Sequence, residues 1–204
     1  LSGYKDFADG NYFTAAEVDG YLMQQTVMRF ATTADLLSQL GSGVRVAGML
    51  AYATDTATLY MYEGSGVWKP MTSQWASYTP TWNGPTALNI GNGSITGRWR
   101  YAGGMVFVHI ELTRGSTTNV GTSSYSWTLP VTAKTNLAAI GYAFARDASP
   151  FAEYGGIVIP TSSTGVAVVN TATNTRWSNT VPFTPATDDT YTLNIEYEPL
   201  NGIS

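Results

Sequence analysis

The sequence predicts a mainly β protein in which short N-terminal helices and a small β unit precede a C-terminal antiparallel β-sandwich. Three observations carry that prediction. Beyond Ser94, apolar and polar side chains alternate over several runs separated by Gly, Ser, Thr, Asn and Pro turns. Only 12% of residues are charged, about half the usual share, whereas Tyr numbers 13 and Trp 6, which suits a folded, strand-rich chain and not a disordered one. Apolar residues at helical spacing are confined to the N-terminal part, before the first strand-like run.

The first predicted element is a helix over about 15–29. Thr14 is its N-cap, Glu17 completes a capping box, and Phe13 and Val18 form a hydrophobic staple. Val18, Tyr21, Leu22, Gln25 and Met28 share one side at spacings of three and four, and Met23, Val27 and Phe30 widen the apolar surface. Two partners suit such a surface: the domain that follows, or copies of the same helix. A second short helix, about 33–40, is capped by Thr32 or Thr33 and ended by Gly41. A small β unit over 44–71 comes next, with strands at Met49–Ala53 and Thr58–Tyr62 and a hairpin through Glu63–Gly66 into "VWKPM".

The Ser/Thr/Pro/Trp stretch 72–84 marks a junction, with the boundary near Gln74, so that 1–74 and 75–204 form separate regions. Past it, a Gly103–Gly104 turn joins two long strands. In the second, Val106, Val108, Ile110 and Leu112 face one way, and Met105, Phe107, His109 and Glu111 the other. Five further runs, from "SYSWTLPV" to "TYTLNIEYEP", give seven or eight strands in a jelly-roll-like sandwich. No stretch between them reads as a crossover helix, which argues against a parallel α/β sheet.

Little in the sequence reads as chemistry. The absence of cysteine excludes thiolate nucleophiles, disulfides and Cys-based metal sites. His109 is the only histidine. With Glu111 on the same face it offers two members of a triad or metal site, but spacing supplies no third, so it reads as a sheet-face or interface residue. Asp147 and Glu153 bracket the loop "DASPFAEYGG" with Phe151 and Tyr154. Aromatic side chains beside carboxylates suit a sugar ring, so these four are the candidate glycan-binding residues; a glycosidase pair is the lesser reading. Asp188 and Asp189 read as turn residues, without the dense acidic loop of a calcium site. "NGS" at Asn92 is an acceptor for glycosylation only in a secretory pathway. Phosphate-binding loops and dinucleotide fingerprints are absent, and no cofactor, metal or catalytic residue is expected. Trp75, Trp82, Trp99, Trp127 and Trp177 read as core or subunit contacts. A net charge of −4 without a Lys/Arg cluster argues against nucleic acid, and the longest apolar runs are too short to cross a bilayer. Residues 1–10 lack the basic and apolar segments of a secretory signal, and Leu1 in place of Met implies trimming or further residues upstream.

Three segments carry a resemblance: "YKDFADGNYFTAAEVDGYLMQQTVMRFAT" at Tyr4–Thr32, "GMLAYATDTATLYMYEGSGVWKPM" at Gly48–Met71, and "YTPTWNG" with the strand pair after it. A closing run with Trp177, Val181, Pro182, Phe183, Thr184, Asp189, Leu193 and Tyr197 completes the pattern. Together they resemble the minor tail proteins, or receptor-binding tail fibres, of tailed bacteriophages that infect actinobacteria. The resemblance implies a non-enzymatic virion protein, homotrimeric, located at the tail or tail tip and assembled in the host cytoplasm. It makes the helix face Val18, Tyr21, Leu22, Gln25 and Met28 the attachment and trimerisation element. The implied partners are other copies of the chain, tail or baseplate proteins, and host cell-wall polysaccharide. No collagen-like repeat or long heptad stalk is present, so the implied form is a short fibre or knob. Competing readings are a tail or capsid decoration protein that never touches the host, a carbohydrate-binding module of a secreted bacterial protein, and a polysaccharide depolymerase.

Overall fold

The computed structural model describes residues 14–15, 27–41, 43–84, 88–134 and 140–202. The chain is mainly β and divides into two compact units, one reaching Gln74 and taking in Gly202, the other Trp75–Asn201.

In the first unit four strands pair in the order β1 (Met28–Phe30), β2 (Leu50–Ala53), β3 (Thr58–Tyr62) and β4 (Trp68–Ser73), and the helix α1 (Thr33–Gln39) joins β1 to β2 along the chain. Ala15 is helical, but Glu17 of the predicted capping box and Val18, Tyr21, Leu22 and Gln25 of the predicted face lie outside the described residues. At its C-terminal end the predicted helix is corrected. Met28–Phe30 is a strand, parallel to β2, with Met28 opposite Ala51 and Phe30 opposite Ala53. Met and Arg favour helix locally, but pairing covers the otherwise open edge of β2 and buries Phe30, and tertiary gain overrides propensity. Met28 packs against this unit's own core.

Helix α1 follows its prediction. Thr32 accepts from the Asp35 N–H at 3.0 Å while the Asp35 carboxylate accepts from the Thr32 N–H at 3.1 Å, a reciprocal cap. Leu36 turns fully inward beside Phe30, Leu40, Met49, Tyr60 and Trp68. Pro70 sits in β4 opposite Tyr60 where the β3–β4 register shifts, a place where a missing backbone donor costs little.

The second unit is one hydrogen-bonded path of antiparallel strands: β7 (Ser94–Ala102), β8 (Met105–Thr113), β13 (Thr190–Tyr197), β10 (Gly141–Asp147), β11 (Ala152–Ser162), β12 (Gly165–Asn170), β9 (Ser126–Thr128) and β6 (Trp82–Asn83). The short β5 (Ala76–Tyr78) lies on β7. The β7–β8 hairpin turns at Gly103 and Gly104, with φ of 60° and 81°, as that two-residue turn requires. The last strand, β13, lies between β8 and β10, in the middle of the path.

This sheet is bent over itself. Laid flat, β5 and β6 would stand roughly 38 Å apart at normal strand spacing. Yet only Thr79, Pro80 and Thr81 join them, a reach of about 14 Å. Tyr78 bridges the two ends. Its ring lies where a Gly97 side chain on β7 would project, since a Cβ there would be 2.4 Å from Tyr78 Cε1, and its hydroxyl donates to the Thr128 carbonyl of β9 at 3.4 Å.

The concave side holds the core. Val106, Val108, Ile110 and Leu112 are buried there as the alternation predicts, with Leu193, Ile195, Val158, Val166 and Val168. Aromatic rings fill the middle: Tyr191 lies 5.7 Å from Trp177, 6.1 Å from Phe183 and 6.3 Å from Tyr125, which in turn lies 5.0 Å from Trp82. Trp82, Trp127 and Trp177 are therefore core residues, as read from the sequence, and Trp99 packs partly buried against this core, edge to face with Tyr101. Trp75 is not: it is 45% exposed.

Asp189 is fully buried, and its carboxylate joins two loops by accepting from the backbone N–H groups of Ala148 and Ala186. It is thus a turn residue, as expected, and also a clamp. Asp189→Ala removes the acceptor of two part-buried backbone donors, so we expect a loss of about 2 kcal/mol, read as a lower urea midpoint. Asp189→Asn, which keeps one acceptor oxygen, should lose roughly half of that.

Candidate functional site

Pleating decides what the outer face presents. On β10 the order is inverted relative to most half-buried strands: small Ala143 and Ala145 point inward, where Tyr191 and Trp177 already fill the space, and Tyr142 and Phe144 point outward, 56% and 51% exposed. The two outward rings meet edge to face at 5.8 Å. Strand pairing sets one cross-strand row on this face, Arg98–His109–Asn194–Tyr142–Ile157, running over β7, β8, β13, β10 and β11. Phe107 and Glu196 are opposite each other in the next row.

A groove of about 590 Å³ runs along these rows. Tyr142, Phe107 and Trp75 give it aromatic walls, and Arg98, His109, Asn194 and Glu196 give it polar ones. Its size lies within the range of small-ligand sites, and its lining is apolar surface with a few placed polar groups. Gly141 forms part of the floor. A Cβ there would lie 2.1 Å from the Asn194 carbonyl oxygen, so β10 and β13 approach this closely only with glycine.

His109 is fixed rather than free. Its Nδ1 contacts Asn194 Oδ1 at 2.8 Å and its Nε2 contacts Glu111 Oε1 at 3.0 Å. The predicted His109–Glu111 pair thus forms, on the sheet face, and among the described residues no group of three His, Asp or Glu side chains is placed to hold a metal ion. At the other wall, Arg98 and Arg100 both lie on the Trp75 ring, at 5.0 Å and 5.1 Å, and Arg100 also approaches Phe107 at 5.9 Å.

The four glycan candidates read from the sequence do not converge. Glu153 is opposite Arg146 and faces outward, while Asp147 is opposite Ala152, one step along, and so turns to the other face. Asp147 accepts from the Ser149 N–H within its own turn. This corrects the reading of Asp147 and Glu153 as two carboxylates flanking one cleft. Tyr154, opposite the buried Ala145, packs inward on Phe183 at 5.1 Å and is unavailable as an outer platform. Phe151 stands out at the hairpin tip, 75% exposed, under the Arg146 guanidinium at 5.2 Å. Only Phe151 and Glu153 remain on the outside, and Glu153 borders a smaller hollow of about 330 Å³ with Phe144 and Arg146.

Alternation puts the groove residues Phe107 and His109 on one strand face but leaves out Tyr142 and Asn194, although β10 carries one signal: an alternating strand with alanines on one side and large aromatics on the other. Among the described residues no helix is long and apolar enough to cross a membrane. Comparison with protein-family models, with curated proteins and with solved structures finds no match for the chain.

Proposed function

We propose that this chain is a structural protein of a tailed-bacteriophage virion, a homotrimeric short tail fibre or tip knob whose jelly-roll-like sandwich contacts host envelope polysaccharide. The observation that carries the contact role is the outer-face groove, where Tyr142, Phe107 and Trp75 stand beside Asn194, Glu196 and Arg98. Flat aromatic surfaces stack on the apolar faces of sugar rings, and amide and charged groups take the hydroxyls. The resemblance of Tyr4–Thr32 and Gly48–Met71 to phage tail proteins supports the virion assignment. The small core of the first unit, centred on Leu36 and Trp68, supports assembly, because a unit this size gains much from neighbours.

A second reading, a tail or capsid component without receptor contact, is favoured by the exposed apolar cluster of Tyr142, Phe144 and Ile157, which also suits a subunit contact. Two measurements on the full chain separate them. Light scattering should give a trimer, and the protein should sediment with actinobacterial envelopes. Tyr142→Ala should weaken that sedimentation about tenfold, the equivalent of one lost aromatic face, at unchanged mass. A trimer that dissociates in Tyr142→Ala makes the cluster a subunit contact, and a wild-type chain that ignores every envelope tried removes the adhesive role.

A further inference from the structure

We infer that the Arg98 end of the groove receives an anionic substituent of a saccharide chain, a carboxylate or a phosphodiester, while Tyr142 and Phe107 carry the sugar rings. This rests on the polysaccharide-contact reading and narrows it to acidic polymers.

The arrangement at that end is unusual in its charge. Arg98 and Arg100 project from the same face of β7, two residues apart, and share one aromatic ring. Among the described residues neither makes an ion pair, and the lysine–carboxylate pair that does form on this unit uses another cation, Lys134 with Glu198. Glu111, the acid nearest along the row of Thr96, is already engaged by His109 Nε2. The Nε of Arg100 is buried without a hydrogen-bond acceptor among the described residues. Two like charges brought together on a ring repel, and a buried guanidinium N–H without an acceptor costs further. An anion at Arg98 relieves the first cost directly.

The fork of a guanidinium matches the two oxygens of a carboxylate or phosphate, so Arg98 offers paired charge-assisted bonds. Trp75 holds the guanidinium plane in place before the ligand arrives, which limits the ordering cost. Arg98 also lines a second hollow of about 320 Å³ with Thr96, Ser77 and Glu111, continuous in residues with the main groove through His109. A chain laid along the aromatic groove therefore has room to pass Arg98 without ending there. The overall charge of −4 repels acidic polymers at long range, so the attraction proposed is local and short-ranged.

The test uses the full chain and three polymers of similar length: oligogalacturonate, its carboxyl-reduced neutral form, and poly(glycerol phosphate), each titrated by calorimetry. At least one acidic polymer should bind about tenfold tighter than the neutral one, and that advantage should shrink as salt is raised. Arg98→Ala should bring the acidic polymer down to the neutral level. Arg98→Lys should keep the salt dependence and lose part of the affinity. The preferred acidic polymer tells carboxylate from phosphodiester. Equal affinity for acidic and neutral forms, or an Arg98→Ala variant that binds as wild type, overturns the inference and leaves the polysaccharide reading standing. Failure of all three polymers to bind also overturns it, while envelope sedimentation judges the broader reading separately.

Discussion

Trp177→Ala should cost about 3–5 kcal/mol, enough to unfold much of the Trp75–Asn201 unit near its thermal midpoint. Trp177 is fully buried, bonded through its backbone to Val168 and Tyr125, and packed edge-on against Tyr191. Its six-membered ring occupies space that Gly156 leaves open: a Cβ on Gly156 would lie 2.9 Å from Trp177 Cζ2 and 2.3 Å from Val168 Cγ1. Gly156→Ala alone should therefore destabilise by about 1–3 kcal/mol through overpacking. The two changes compete for one volume, so the double variant should be more stable than the sum of the singles implies. Urea titrations of the three variants measure this, and strict additivity would show that Gly156 and Trp177 do not share the space described.

Alkaline solution should unfold the same unit steeply. Tyr125, Tyr191 and Tyr197 are fully buried, and burial pushes each phenol far above its ordinary range. Half-buried Tyr78 is raised for the same reason. The sign follows from proton counting. Below pH about 10 both folded and unfolded chains keep these protons and the tyrosines add no pH dependence. Above it the unfolded chain releases them and the folded chain does not, so stability falls as pH rises. Each fully buried tyrosine contributes up to about 1.4 kcal/mol per pH unit, and three together about 4 kcal/mol. Tyrosinate absorbance should appear together with the loss of circular dichroism, not before it. Tyr191→Phe is the informative variant, because the Tyr191 hydroxyl has no hydrogen-bond partner among the described residues. It should be near neutral in stability at pH 7 and should reduce the alkaline slope by about one tyrosine. An unchanged slope would mean that Tyr191 ionises within the folded state.

Local signals predicted local features well. The Gly103–Gly104 hairpin, the inward Val106–Leu112 set and the cap at Thr32 are each decided by a few neighbouring residues. Met28–Phe30 reads locally as the end of a helix, and its strand form depends on β2, some twenty residues later. The short β5 and β6 carry too few residues for a period to show. The groove was hidden for a related reason. Alternation puts Phe107 and His109 on one face of their strand, but Asn194 and Tyr142 join them only because β13 enters between β8 and β10, and nothing in one strand specifies its neighbour. The parity of Asp147 and Glu153 likewise hangs on the hairpin's register, which spacing alone leaves open.

The central place of β13 also sets an order in time. A chain emerging from the ribosome offers β7–β8 and β10–β11–β12 as two separate half-sheets, each with an unpaired edge and a bare apolar face, until Thr190–Tyr197 arrives to join them. Closure is therefore withheld until translation has passed Tyr197. Any product cut short before β13 keeps both edges open, a state that invites aggregation and proteolysis.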